Sequence, residues 1–361
     1  MDRDSAGAVC GCHGARGQGC HPRTAHPIAS PRVRGPAVRT LPARRSPWPH
    51  AGRDLHGPRA GHHLPHGGQA RALGLGIPPG TSVPTLSLSL DHVVIFVEDL
   101  RRASEDYAAL GFTVVPGGVH AGALTHNALI PFADGRYLEL LALTVSWKRR
   151  ALRMLARGGL EGILMRRSPL LGRAIRRIRS GEGLADFALA CSPLAEVVGV
   201  GEIDGPVSGG RVRPDGQKLS WRLAFPRAPV LPFLIEDVTP RHLRVPGNVI
   251  HPNGAAGVQA LTVATGSFDR AVAHYQTLLG REPFETVAPI PRSLGVEFRL
   301  NGVVIRLMAP IGPAHPLRAS LARRGEGLYG VVLSADRAAN LDPARTHGAQ
   351  ITLAHPRNST S

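Results

Sequence analysis

The sequence is poor in cysteine, in aromatic residues and in long apolar runs. It has four cysteines among 361 residues, and aromatic side chains make up 4% of the chain. Three of these cysteines, Cys10, Cys12 and Cys20, lie near the amino terminus, which argues against a disulfide framework and favours a reducing cytoplasm. No run of about 18 apolar residues could form a transmembrane helix, and no apolar core marks a secretory signal. We therefore expect a cytoplasmic protein with no membrane span.

Apolar periodicity is also missing from residues 1–85, which are rich in Arg, His, Pro and Gly. Such a segment buries too little apolar area to offset the entropy of ordering, so we predict disorder there. Its cysteines and neighbouring histidines lack the paired spacing of a zinc site. Any reading frame of GC-rich DNA has a similar composition, so a second interpretation is that this segment is not native to the protein.

Positive charge is unevenly distributed along the chain. The formal net charge is +17, and the excess lies in residues 1–85 and in a basic, helical insertion at 147–181. Charge of this size favours nonspecific contact with nucleic acid or anionic surfaces. A solvated arginine face over a packed Leu/Ile stripe accounts for the insertion without any partner, and we favour that interpretation. No specific nucleic-acid site is predicted.

The pattern changes at Leu90, where a strand with apolar residues on both faces begins. A helix over 100–110 follows, capped by Asp99, and then three strands at 112–115, 127–132 and 137–143. His92 and Glu139 lie near the middle of the first and last strands, among Val, Ile and Leu. An unpartnered imidazole or carboxylate there would be costly to desolvate, so these two residues indicate a site.

Internal repeats define the architecture. The phrase Gly-Glu-Gly-Leu occurs at 181–184 and again at 325–328, each time before a strand, and the pattern at 258–280 matches that at 90–112. We predict an α+β fold of repeated βαβββ units. Half A covers 86–240 with two units around the basic insertion, and half B covers 256–361. The last unit of half B has little sequence after Ala354 for its final strands, so we expect that it is truncated or that its sequence is lost by a frameshift.

Four motifs of the first unit resemble those of the vicinal oxygen chelate superfamily, and more narrowly its glyoxalase-like domain proteins. The motifs are L-D-H-V-V at 90–94, G-G-x-H at 117–120, T-x-N-A-L at 125–129 and Y-L-E-L at 137–140. The resemblance implies paired units that form curved half-barrel sheets, as in glyoxalase and bleomycin-resistance proteins. It also implies that divalent metal ligands come from the first and last strands of each unit.

Under this resemblance, candidate metal ligands can be assigned by position. His92 and Glu139 fill the positions of the first unit, and Asp186 and Glu236 those of the second. Imidazole with carboxylates suits Fe, Mn, Zn or a similar divalent ion. The alternative is that His92 donates to a backbone carbonyl and Glu139 pairs with an arginine. In half B the equivalents are Ala260 and Arg306, which cannot serve as ordinary ligands, so any metal site is expected in half A.

Further residues near this pair are candidates for catalysis and substrate binding. The resemblance suggests Glu139 and His120 as catalytic groups, with His120 moving a proton, and Thr125 and Asn127 as substrate-binding residues. Alternatively, Thr125 and Asn127 satisfy local backbone groups. Two functions follow as hypotheses. One is a metal-dependent lyase, isomerase or dioxygenase acting on a small oxygenated compound, and the other is a metal-free module that binds a small molecule. A homo-oligomer is compatible with both.

Overall fold

The computed structural model describes residues 87–144, 167–198, 202–247, 249–286 and 289–357. The predictions for 1–85 and for the first part of the basic insertion lie outside these residues. The described residues belong to one unit spanning Ile77–Ser361. None of their helices is long and apolar enough to cross a membrane.

Half A folds as an eight-stranded closed barrel. Its strand order is β1-β4-β3-β2-β6-β7-β8-β5, so β1 runs parallel to β4 on one side and antiparallel to β5 on the other. Strands β2 and β6 close the barrel through Val119↔Val212 and His120↔Arg211, which we call the β2–β6 junction. The strands are β1 Ser89–Phe96, β2 Val115–His120, β3 Thr125–Pro131, β4 Tyr137–Leu143, β5 Gly183–Ala190, β6 Ile203–Val212, β7 Lys218–Pro226 and β8 Phe233–Asp237.

In the described part of half A, three helices accompany the barrel: α1 Leu100–Ala109, α2 Pro169–Ser180 and the one-turn α3 Arg241–Arg244. Helix α1 matches the predicted helix, and its Asp99 cap accepts a hydrogen bond from the amide of Arg102 at 3.0 Å. Helix α2 is the last part of the basic insertion. The second unit has a 3₁₀ turn, Leu194–Glu196, after its first strand. The strand predicted at 112–115 instead begins at Val115, because Phe112 still belongs to the turn that follows α1.

Half B forms a seven-stranded sheet in the order β10-β11-β12-β9-β13-β15-β14. Its third unit has four strands and a helix, and its fourth unit contributes three strands among the described residues. The elements are β9 Ala255–Ala264, α4 Phe268–Leu279, β10 Phe284–Glu285, β11 Ser293–Leu300, β12 Val303–Pro310, α5 Pro316–Arg324, β13 Gly327–Ala335, β14 Ala339–Asn340 and β15 Gln350–Ala354.

The repeated Gly-Glu-Gly phrase has a structural reason. In half A, the Glu182 carboxylate accepts a hydrogen bond from the amide of Glu98, 2.8 Å away, in the loop after β1. In half B, Glu326 accepts from the amides of Gly266 and Ser267 in the loop after β9. Each glutamate therefore satisfies backbone donors ahead of the helix that follows the first strand.

The buried apolar residues of the described chain form one large layer and three smaller clusters. The large layer lies between the barrel, the sheet of half B and the helices, and includes the fully buried Tyr107 and Tyr275. One of the smaller clusters is formed by residues of β1, β4, β5, β7 and β8, and it contains Trp221 and Phe233. Buried polar side chains adjoin this cluster, and they form the candidate site.

The combination of paired βαβββ units and a curved, closed sheet is that of the vicinal oxygen chelate fold, which confirms the predicted fold class.

Candidate functional site

A β-bulge in β1 places two polar side chains together. Leu90 pairs with Leu189 and His92 pairs with Ala188, so Asp91 is an extra residue in β1. Strict alternation would put Asp91 and His92 on opposite faces. In the bulged strand, Asp91 Oδ1 lies 2.6 Å from His92 Nδ1, and both residues are buried. This contact fixes the orientation of the imidazole.

Asp91 is also held by arginines of α3. Arg244 donates to its two oxygens at 3.0 and 2.9 Å, and Arg241 donates to it as well. Arg244 further donates to Asp237 at 2.5 and 2.9 Å and to the Tyr137 hydroxyl at 2.7 Å. Burial would raise the pKa of Asp91, but the charge of Arg244 and the bond from His92 outweigh it and hold that pKa well below its ordinary value. Asp91 is therefore an ionised carboxylate inside the protein.

Two histidines approach the Glu139 carboxylate from β1 and β2. His92 Nε2 lies 3.5 Å from Oε2, and His120 Nε2 lies 3.6 Å from Oε1. The Asn127 side chain donates to Oε1 at 2.7 Å. His120 Nδ1 lies 2.8 Å from the Thr125 hydroxyl. The structure thus brings all five candidates of the first unit into one cluster.

The protonation states follow from burial and from these contacts. Burial would raise the pKa of Glu139, but His92, His120 and Asn127 lower it below its ordinary value. Burial would lower the pKa of His92, but the hydrogen bond with Asp91 and the negative charges of Asp91 and Glu139 outweigh burial and raise it. Burial lowers the pKa of His120. Without an ion, these shifts favour an ionised Glu139, a protonated His92 and a neutral His120.

The structure does not bring Asp186 and Glu236 into this cluster. Asp186 is ion-paired with Arg173 and Arg177 of α2, each at 2.9 Å. Glu236 accepts a hydrogen bond from the Ser192 hydroxyl at 3.3 Å and lies 3.5 Å from Arg222. Both carboxylates therefore have partners of their own.

The strand registers explain why Glu236 differs from the expectation. In the first unit Glu139 pairs with Val94, which is two residues after His92. In the second unit, Asp186 takes the place of His92, and the residue two positions after it is Ala188. Ala188 pairs with Phe233 of β8. Phe233 thus occupies the position that corresponds to Glu139, and Glu236 lies three residues beyond it. The Phe233 ring packs edge-on against His92, 5.5 Å away between centroids.

Half B has no comparable cluster at the corresponding positions. Arg306 pairs with Thr262 in the sheet of half B, as Glu139 pairs with Val94 in the barrel of half A. By this register, Arg306 is the counterpart of Glu139, and Ala260 is the counterpart of His92. Arg306 Nε donates to Glu297 at 2.6 Å. An alanine and an ion-paired arginine therefore replace the histidine and the glutamate.

Three residues of the site are missing from the sequence-based prediction: Asp91, Arg211 and Arg244. Asp91 stands in the L-D-H-V-V motif, but strand alternation assigns it to the opposite face from His92. Arg211 lies opposite His120 across the β2–β6 junction, and its Nη1 is 3.4 Å from Asn127 Oδ1. Arg244 lies in a connector between the halves. For these three residues the sequence offers one signal, which is that the acidic Asp91 directly precedes His92 in an apolar strand.

Imidazole and carboxylate are suitable ligands for a divalent metal, and three such groups converge here. As the side chains stand, no group of three or more His, Cys, Asp or Glu among the described residues is arranged to hold an ion. Each oxygen of the Glu139 carboxylate faces one histidine, and the Asn127 side chain donates a hydrogen bond to Oε1. The donor set therefore fits a metal in chemistry, and an ion would take the place between the carboxylate and the two rings.

Comparison with known proteins agrees with the fold. The family model of the glyoxalase-like domain matches residues 90–279, more than half of the chain, so this protein belongs to that family. No curated protein matches the chain.

Solved structures show the same similarity. A hypothetical protein from Staphylococcus aureus is 14% identical, with a TM-score of 0.53 over 74% of this chain and 99% of that one. A variant of 4-hydroxymandelate synthase from Streptomyces coelicolor is 15% identical, with a TM-score of 0.43 over 72% and 78% of the two chains. Methylmalonyl-CoA epimerase from Mycobacterium tuberculosis is 16% identical, with a TM-score of 0.26 over 30% and 94%. The first of these likenesses supports the fold alone.

Proposed function

We propose that half A is a metal-dependent enzyme site for a small oxygenated compound, with the ion held by His92, His120 and Glu139. The observation that carries this proposal is the orientation of the two imidazoles. Their Nε2 atoms face the two oxygens of one carboxylate at 3.5 and 3.6 Å, which is too far for good hydrogen bonds. Such spacing is expected of ligands that share an ion.

The outer contacts of both histidines support the same function. A metal-bound histidine usually donates its other ring nitrogen to a carboxylate or another acceptor, which fixes the tautomer and the ring orientation. Here Asp91 holds Nδ1 of His92 at 2.6 Å, and Thr125 holds Nδ1 of His120 at 2.8 Å. Thr125 therefore acts as an orienting residue in this proposal rather than as a substrate ligand. Asp186 and Glu236 are left out because each has other partners.

Two histidines and one carboxylate suit Fe(II), Mn(II) or Zn(II), with positions left for substrate oxygens. When bound, such an ion would polarise a carbonyl group or stabilise an enolate. Asn127 Nδ2, which donates to Glu139 at 2.7 Å, orients the carboxylate. A lyase, an isomerase and a dioxygenase all remain candidate reactions for this site.

A second candidate is a metal-free binding module, and one observation favours it. Asn127 already satisfies Oε1 of Glu139, and the His92 ring lies between the carboxylates of Asp91 and Glu139, at 2.6 and 3.5 Å. Burial would lower the pKa of His92, but these two carboxylates outweigh burial and favour the protonated ring. The cluster is therefore balanced without an ion, as a permanent structural network would be. The difference between the two candidates is whether a divalent ion replaces the proton on His92.

The test is isothermal titration of chelator-treated protein with Mn(II), Zn(II) and, under anaerobic conditions, Fe(II). We expect one ion per chain, and at least about a hundredfold weaker binding after His92→Ala or Glu139→Gln, because each removes a ligand. Glu236→Gln is the matched control, since it removes a carboxylate outside the cluster, and it should bind like the wild type. Absence of binding, or equal binding by Glu139→Gln, would overturn the metal site and favour the binding module.

A further inference from the structure

Arg211 is a buried cation without a carboxylate partner. Only 4% of the residue is exposed, and no Asp or Glu among the described residues lies within salt-bridge distance of it. The neighbouring arginines differ in this respect. Arg244 is paired with Asp91 and Asp237, and Arg213 is paired with Asp215 at 2.8 Å. A guanidinium that is removed from water is strongly disfavoured unless an anion offsets its charge. The charge of Glu139 acts on Arg211, but the Asn127 amide lies between them, so no carboxylate contacts the guanidinium directly.

Most of the donors of Arg211 are free. Its guanidinium carries five N–H groups. Nη2 donates to the carbonyl oxygen of Arg244 at 2.5 Å, and Nη1 has one long contact of 3.4 Å to Asn127 Oδ1. Nε is buried and has no hydrogen-bond partner. The group therefore has both charge and directed donors available for a ligand.

The location of Arg211 links it to the candidate site. It pairs with His120 across the β2–β6 junction, and directly opposed residues in antiparallel strands carry neighbouring side chains on one face. Asn127 lies between them, with Oδ1 toward Arg211 and Nδ2 toward Glu139. The His120 side chain is 19% exposed, which makes it the most open of the three proposed ligands. A ligand on Arg211 would therefore lie next to the proposed ion.

We propose that Arg211 binds the carboxylate of the substrate, so that the compound transformed in half A is a small organic carboxylate with a further oxygen. A planar guanidinium matches a carboxylate through two parallel hydrogen bonds. One arginine neutralises one negative charge, which suits a carboxylate better than a phosphate dianion. The burial of Arg211, of which only 4% is exposed, also favours the smaller, planar group. This inference rests on the proposed function for its substrate, but anion binding can be tested without any metal.

The experiment is calorimetric titration of the full chain, freed of metal by chelator and then desalted, with acetate, benzoate and inorganic phosphate, against chloride at constant ionic strength. We expect saturable binding of a carboxylate and at least about a tenfold loss of affinity in Arg211→Gln, as for removal of a charge-assisted pair. Arg211→Lys should bind at an intermediate level, because it keeps the charge but loses the planar fork. Arg222→Gln is the control. The Arg222→Gln variant also removes one positive charge, but from a side chain that is 51% exposed. It should bind the carboxylate like the wild type.

Three results would overturn the inference: no preference for carboxylate over chloride, stronger binding of phosphate than of either carboxylate, or equal affinity in Arg211→Gln. If circular dichroism shows that Arg211→Gln does not fold, Arg211→Lys decides, and unchanged carboxylate affinity in that variant contradicts recognition by the fork. Carboxylate binding in a protein that never binds metal would remove the proposed enzyme and keep Arg211 as an anion site. Metal binding without carboxylate binding would remove only the role of Arg211.

Discussion

Arg244 donates hydrogen bonds to both oxygens of the Asp91 carboxylate, at 3.0 and 2.9 Å, although 153 positions separate the two residues in the chain. Both are buried. The pair joins the connector helix α3 to β1 directly beside His92. It therefore links the stability of half A to the orientation of the imidazole in the candidate site.

The first prediction concerns this pair. Replacing Arg244 with Met should lower the free energy of unfolding by about 3–5 kcal/mol, because it leaves a buried carboxylate without its main counter-ion. Urea denaturation measures the loss. The double variant Asp91→Asn with Arg244→Met removes both charges and should recover part of it. A loss below about 1 kcal/mol in the single variant would show that Arg241 alone neutralises Asp91.

The second prediction concerns Asp186 and pH. Burial would raise the pKa of Asp186, but Arg173 and Arg177 outweigh burial and lower it. Because the folded pKa lies below the unfolded value of about 3.9, the ion pair stabilises the protein above about pH 4, and this contribution is lost as the pH falls through the folded pKa. Asp186→Asn should therefore be less stable than the wild type near pH 7.

The pH dependence itself provides the check. Between about pH 6 and pH 3, the wild type should lose more free energy of unfolding than Asp186→Asn, since only the wild type must protonate this carboxylate. Urea midpoints at the two pH values measure the difference. Identical losses in the two proteins would mean that the pair with the α2 arginines contributes nothing to the acid sensitivity.

The third prediction concerns the closure of the barrel. Gly118 in β2 has φ of +140°, and a Cβ atom there would lie 2.0 Å from the carbonyl oxygen of Val212 across the β2–β6 junction. Gly122 also has a positive φ, +81°, but a Cβ atom there would meet nothing within 4 Å. Both Ala substitutions strain the backbone, and only Gly118→Ala forces the two strands apart. It should therefore cost about 1–3 kcal/mol more than Gly122→Ala. Equal costs in thermal or urea unfolding would show that the junction is not closely packed.

The sequence predicts the first unit well because its signals are local. Strand alternation in 90–97 and 137–143 places His92 and Glu139 inside apolar strands, and Asn127 lies in the predicted strand at 127–132. His120 and Thr125 fall outside the predicted strands and are marked only by their motifs, whereas the structure places them in β2 and β3. The structure brings these five residues together. The period of a strand and a sequence motif can both be recognised within a short stretch of the chain, without knowing which distant residues it contacts.

The second unit could not be predicted in the same way. Its alignment depends on the register of β8 with β5, and a shift of three residues exchanges Phe233 for Glu236. Asp186 is bound by arginines of the basic insertion, which no strand pattern reveals. Asp91 enters the site through a β-bulge that breaks the alternation, and Arg244 reaches it from a connector between the halves. These contacts are long-range, so local periodicity cannot predict them.

The central claim is that a divalent ion binds between His92, His120 and Glu139. The most direct measurement is an anomalous difference map from crystals of the protein soaked in Mn(II). The account predicts one strong peak in half A, at about 2.0–2.3 Å from the Nε2 atoms of both histidines and from an oxygen of Glu139. No peak at this position, with Asn127 still donating to Glu139, would contradict it.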